Sequence, residues 1–211
     1  GSRVVPRELA LPSLVGRELL CWMGHEPMAN EQRQTALIRP VEPRDEAAIA
    51  RLWAMLTEQH IALDPRLPGA TNGAATRYAR RLIERRSDPA TLALVAEVEG
   101  ETVGYVLGAV IDLHPDLFQH VDAGFVADIF IDPAYRRRGL GRELVATLNE
   151  WFRRKGVQQV EWQVAARNPE GIRFWEAIGG EPLMIRMRLD LGADTRPRRV
   201  RRISIHREES D

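Results

Sequence analysis

The chain has 211 residues, 44% of them apolar, with 30 basic and 30 acidic side chains. That size suits one folded domain plus tails, the apolar content excludes global disorder, and zero net charge gives no whole-molecule field towards nucleic acid or membrane. Cys21 is the only cysteine, which excludes an intrachain disulfide and a thiol-based zinc site, and no apolar run approaches the ~20 residues of a membrane-spanning helix.

Residues 1–34 read as an extension. Gly1-Ser2 looks like a cloning remnant, and the apolar stretch from Leu9 to Met23 is interrupted by Pro12, Arg17 and Glu18, so it does not read as a secretory signal. A single thiol fits a reducing compartment, and a cytoplasmic location is expected. The domain is expected over residues 35–191. Thr35 to Val41 reads as a strand, then Asp45 and Glu46 form an acidic first turn, and Ile49, Leu52, Trp53 and Leu56 make one helical apolar face. Leu63 to Gly73 is a loop by its Asp-Pro, Pro-Gly and Asn-Gly pairs. A second helix carries Tyr78, Leu82 and Ile83 inward and stops at Ser87-Asp88-Pro89.

Thr91 to Val98 and Thr102 to Ile111 are β-rich runs across Glu99-Gly100-Glu101, a hairpin. His114 to Gly124 reads as a polar connection, and Phe125 to Asp132 as a strand ended by Pro133. Leu140, Leu144, Val145, Leu148, Trp151 and Phe152 share a helical face, with Gly156 a plausible C-cap. Val157 to Val164 is a strand, Asn168-Pro169-Glu170 opens another helix, and Leu183 to Leu191 alternates as a closing strand. Residues 192–211 form an arginine-bearing charged tail, read as solvated because it lacks interleaved aromatics and also carries Glu208, Glu209 and Asp211. The order predicts an α/β (α+β) fold with a mostly antiparallel mixed sheet, flanking helices and one β-α-β crossover at 125–164.

Chemistry concentrates at Arg136-Arg137-Arg138-Gly139-Leu140-Gly141, between that strand and a helix. The first helical amides lack intrahelical acceptors and the helix dipole adds positive charge, so the turn suits an anion. Its glycines let a phosphate approach the backbone. The bland reading is a turn with solvated arginines. A Walker-type loop needs Gly-Lys-Ser/Thr, and a dinucleotide fingerprint needs a third glycine where Leu144 stands.

The segment Asp128 to Gly141 resembles the signature of the GNAT acetyltransferase superfamily, whose Arg/Gln-x-x-Gly-x-Gly/Ala pattern is matched by Arg136, Gly139 and Gly141. A second family element looks present in Asn168, Phe174-Trp175-Glu176 and Gly179. The resemblance covers about Thr35 to Leu191. It implies the GNAT fold, with splayed strands forming an acetyl-CoA slot, and acetyl-CoA as co-substrate for transfer to an amine. By the same carry-over the pantetheine arm would lie along Phe130 and Ile131. Backbone at Arg137, Arg138, Gly139, Leu140, Gly141 and Arg142 would hold the pyrophosphate, with Arg136 opening the motif. Asn168 would bond the arm, and Phe174 and Trp175 would line the thioester end. Asn168 also reads as an ordinary N-cap and the two aromatics as core.

An alkyl amine of pKa around 10.4 must lose a proton to react. Asp128, acidic in an apolar strand, is the candidate base; its other reading is a binder of substrate ammonium or a backbone amide. Many relatives in the family place Tyr where Trp175 stands to protonate the thiolate; here the acid is either dispensed with or supplied by Tyr105, with Tyr135 a weaker choice. The acceptor is expected between the first helices and the 114–124 connection, at a rim of Glu58, His60, Asp64, His114, Asp116, His120 and Asp122. These spacings do not make a metal site. The expected partner is a small-molecule amine, with a protein or peptide amine, a non-catalytic CoA-binding module and a homodimer left as alternatives.

Overall fold

Five strands and four helices account for residues 36–112 and 122–189, which the computed structural model describes. In chain order they are β1 (Ala36–Pro40), α1 (Glu46–Leu63), α2 (Ala74–Glu84), β2 (Thr91–Val98), β3 (Glu101–Asp112), β4 (Asp122–Ile131), α3 (Leu140–Arg154), β5 (Val160–Trp162) and α4 (Pro169–Glu176). The strands form one sheet in chain order, antiparallel from β1 to β4 and parallel between β4 and β5. The parallel pair is the expected crossover through α3.

Each face of the sheet carries its own core. On one side α1 and α2 bury Ile49, Leu52, Leu82 and Ile83 against Val95, Tyr105, Leu107 and Phe130. On the other, α3 buries Leu140, Leu144, Leu148 and Phe152 against Leu94, Val106 and Val126. The period-2 strands therefore read as near-continuous apolar runs, because helices cover both faces. The β2–β3 turn has left-handed Glu99 (φ 52°) and Gly100 (φ 82°), as a two-residue type I′ hairpin requires.

Asp45 does more than favour a helix start. It is buried at the last residue of a short 3-10 turn, Pro43–Asp45, where its oxygens accept from Arg39 Nη1 and Nη2 (both 2.8 Å), Thr102 Oγ1 (2.8 Å) and the Glu42 amide (2.8 Å). Arg39 Nε also donates to Glu97 Oε2 at 2.8 Å, so one guanidinium joins β1, β2 and the entry to α1.

Three boundaries differ from expectation. The 114–124 connection is shorter, because β4 begins at Asp122. Gly124 sits in the strand where a Cβ would lie 2.9 Å from the Phe152 ring, so its small size serves packing rather than a loop. The strand expected at 157–164 shrinks to three residues: the amide of buried Val157 bonds back to Phe152 O (3.1 Å) and seals the end of α3, and Trp162, the last residue to pair with β4, stacks on Trp175. Leu183 to Leu189 forms no strand, because no edge pairs with it among the described residues; Leu183, Ile185, Met187 and Leu189 are 75–84% exposed. Asp190 onward, like residues 1–35 and 113–121, lies outside the described residues.

Burial opposes ionisation of Asp45, yet its bonds to Arg39, Glu42 and Thr102 hold the carboxyl below the usual carboxylate range. A depressed folded pKa contributes stability above the unfolded value and loses it as pH falls below about 3.8. Asp45→Ala should cost on the order of 3–5 kcal/mol in urea denaturation at pH 7, because it removes one of the two carboxylates paired with a largely buried guanidinium and leaves the Thr102 hydroxyl and Glu42 amide without their acceptor, and the gap to wild type should narrow in acid.

Candidate active site

The β4–β5 ladder ends early. Gly124, Phe125 and Val126 pair with Val160, Glu161 and Trp162, and β5 offers no partner beyond Val126 among the described residues. On its other edge β4 contains a bulge: Leu107 faces Asp128 and Gly108 faces Val126, leaving Ala127 unpaired. An extra residue reverses which face the following side chains take. Val126 packs on the α3 side, while Ile129 and Ile131 also join that side and Phe130 joins the α1–α2 side. Without the bulge, Asp128 would share Val126's face. With it, Asp128 turns towards α1 and α2.

Between the free edge of β4 and the α3–α4 layer opens a cleft of about 460 Å³. Phe130 and Ile131 form its β4 wall; Phe174 and Trp175 close the α4 side. Trp175 stacks on Trp162 at 4.2 Å and meets Phe174 edge-on at 5.1 Å, so this position is a packed aromatic wedge. Asn168 lines the cleft and caps α4 by accepting from the Gly171 amide at 2.9 Å, as its N-cap reading expects.

The floor is the start of α3. Arg137 (φ 65°) and Gly139 (φ 85°) are both left-handed, and no side chain caps the helix. The amides of Leu140, Gly141 and Arg142 are therefore presented towards the cleft they line, together with Arg137. Space around Gly139 is open, so its requirement is conformational; at Gly141 a Cβ would lie 3.3 Å from Phe174 Cε2. Arg136 spans the cleft instead of pointing at it: Nε donates to Ile131 O (3.1 Å), Nη2 to Gln59 Oε1 (2.7 Å) and Nη1 to Glu170 Oε2 (3.4 Å). Arg138 lies over the Tyr135 ring and does not line the cleft.

A second cavity, about 270 Å³, opens on the α1 side, with walls from Trp53, Leu56, Thr57 and His60 of α1 and from Leu67, Pro68, Gly69 and Ala70 of the following loop. Leu56, His60 and Asp128 line both cavities, so these three residues stand where the two meet. Burial raises the Asp128 pKa above the ordinary carboxylate value, opposed by the Tyr78 hydrogen bond and by His60. Tyr78 Oη donates to Asp128 Oδ2 at 2.7 Å and its ring stacks on Trp53 at 5.2 Å. Tyr105 lies behind them, fully buried, lining neither cavity, its hydroxyl without a hydrogen-bond partner among the described residues. Burial pushes both phenols far above their usual range, so neither is a ready acid.

The comparisons with known proteins agree with this geometry. Residues 50–179 match the family model "Acetyltransferase (GNAT) family". The chain belongs to that family. It is 31% identical over 144 residues to the L-2,4-diaminobutyric acid acetyltransferase of Nocardia farcinica, covering 68% of this chain and 64% of that protein. A [ribosomal protein bS18]-alanine N-acetyltransferase of Escherichia coli K12 is 33% identical over 66 residues, 31% of this chain and 45% of its own length. The chain thus spans less than two thirds of these relatives. A tetramutant of the BH1408 protein from Bacillus halodurans shares the fold with a TM-score of 0.65 at 22% identity, over 74% of this chain and 99% of that one. The GNAT fold expected from the sequence is the fold observed, less the closing strand. No described helix is long and apolar enough to cross a membrane, and no described group of His, Cys, Asp or Glu could hold a metal ion.

Of the predicted rim, His60 reaches the junction, Glu58 is exposed, and Asp64 is taken up by Arg66 (2.6 Å) and Arg167 (3.7 Å). His114, Asp116 and His120, and the Asp122 side chain, lie outside the described residues. Sequence reasoning missed the role of Tyr78 and Trp53, which it assigned to core faces. The i, i+3, i+7 spacing of Trp53, Leu56 and His60 was the available signal.

Gly139→Ala should weaken CoA binding at least several-fold, because a left-handed non-glycine residue costs roughly 1–2 kcal/mol just where the helix amides are aligned. Isothermal titration with CoA measures this, and circular dichroism should show an unchanged fold.

Proposed function

We propose that this GNAT-family chain is an acetyl-CoA-dependent N-acetyltransferase whose acceptor is a primary amine of a small molecule. The observation that carries the reading is the meeting of two cavities at Asp128. The cleft suits the donor: uncapped helix amides and the left-handed turn match a diphosphate, and an unpaired strand edge matches an amide-bearing arm. Bound acetyl-CoA supplies an acetyl thioester, the electrophile for an amine.

The amides of Leu140, Gly141 and Arg142 hold the diphosphate, with Arg137 and Arg142 adding screened attraction. Asp128 holds the acceptor's ammonium through the carboxylate edge that Tyr78 leaves free. The ammonium first releases one proton to water in the open cavity; its freed lone pair then bonds the acetyl carbon as the thiolate leaves, and Asp128, its pKa raised by burial, takes the second proton from the nitrogen. His60 faces the same junction and offers that proton a way out through the acceptor cavity. The leaving thiolate needs no strong acid, since thiols ionise around pKa 8.5; this suits the packed Trp175 and the sealed Tyr105.

Two outcomes follow. Saturating CoA should raise the melting temperature, since a ligand at 100 times its Kd stabilises a fold by about 2.7 kcal/mol. Asp128→Asn should lower kcat/KM by roughly 10²–10⁴ in a thiol-release assay and abolish the rise in activity as pH passes upward through the Asp128 pKa. Stability should move the other way. A folded pKa above the unfolded one means stability is lost as pH rises through the folded value. The neutral amide escapes that cost, so Asp128→Asn should be no less stable than wild type at pH 7.

A further inference from the structure

Resting on the acetyltransfer reading above, we propose that the acceptor is a small monoamine with an apolar body and no carboxylate, seated ammonium-first on Asp128 in the α1-side cavity. The cavity's own chemistry selects this class. Among the described residues, its walls are the Trp53 ring, Leu56, Leu67, Pro68, the open Gly69 backbone and Ala70. Its only ionisable side chains among the described residues are His60 and Asp128, both at the junction with the cleft. The remaining polar side chain, Thr57, donates its hydroxyl to Trp53 O at 2.9 Å, within its own helix. Among the described walls, polarity is therefore concentrated at the junction, and the far end is apolar.

That distribution discriminates among amines. One carboxylate answers one ammonium, so a diamine would leave its second charge against apolar walls. No described Lys or Arg lines the cavity, so an amino acid's carboxylate would find no guanidinium or ammonium partner. A carboxylate drawn to His60 would instead sit against Asp128, which His60 already faces. Arg66, next to Leu67 in the loop, and Arg167 are both engaged by Asp64. A flat apolar body could stack beside Trp53, whose other face is supported by Tyr78 at 5.2 Å. At the ~30 Å³ share of a liquid water, the cavity holds about nine water-sized groups, the scale of a phenylalkyl or short alkyl amine.

The assignment separates this chain from its relative that is an L-2,4-diaminobutyric acid acetyltransferase. The test is thiol release from acetyl-CoA with 2-phenylethylamine, n-hexylamine, L-2,4-diaminobutyrate, L-ornithine, spermidine and an alanine-terminated peptide. The two monoamines should exceed every other acceptor at least tenfold in kcat/KM. Equal or better turnover of a diamino acid, spermidine or the peptide overturns the acceptor class and leaves the acetyltransfer reading standing. Thermal stabilisation by CoA with no turnover of any amine overturns the acetyltransfer reading and this one with it. Ala70→Phe, which fills the cavity from the loop, should raise the KM for 2-phenylethylamine at least tenfold while the CoA-induced melting shift stays as in wild type. An unchanged KM in a variant that retains that shift places the acceptor elsewhere and overturns the proposal.

Discussion

Everything functional here depends on β4 parting from β5 after Val126. Up to that point the strand is an ordinary member of the sheet, shielded on its free edge by a parallel neighbour. Past it, backbone groups that a closed sheet would pair are left for something else to meet. The bulge at Ala127 falls at the same place and turns Asp128 from the α3 side to the α1–α2 side. One irregularity thus exposes a strand edge and delivers a carboxylate to the opposite face. The cleft and the α1-side cavity meet across a single strand.

The cores explain how the sheet tolerates this break. Each face has its own packed layer, so β4 is held by apolar contacts on both sides even where its hydrogen-bonded partner is gone. At the far edge, the Arg39–Asp45–Glu97 cluster fixes β1 to β2 and to the start of α1. That cluster keeps α1, and so Trp53, Leu56 and His60, in place over the cavity. A multiply bonded buried carboxylate at one edge thus helps hold α1 over Asp128, which accepts from Tyr78 nearer the other.

Most of the fold was legible because its helices and strands carry clean periodicities, and the cleft because a glycine-rich helix start has few structural meanings. Of the twelve residues expected at the cofactor, only Arg138 fails to line the cleft. It falls away because the left-handed Arg137 beside it redirects the chain, a turn that residue types alone do not announce. Arg136 was legible as a motif residue but not as a tether, since its partners lie far off in sequence. The facing of Asp128 could not be read either: a bulge is invisible to alternation, which assigns Val126 and Asp128 to one side. The closing strand fails over its described part, Leu183 to Leu189, for the complementary reason, because alternation specifies a strand's faces but not a partner for its edges.

Arg136 carries a mechanical consequence. Its guanidinium bonds Gln59 on α1, the Ile131 carbonyl on β4 and Glu170 on α4, so one half-buried side chain laces both banks of the cleft. The two apolar cores stop on either side of it. Widening the gap therefore exchanges a few polar contacts for water and leaves both cores packed. A bulky ligand can pass through a rigid-looking crevice by loosening one knot, without any element of the sheet having to unfold.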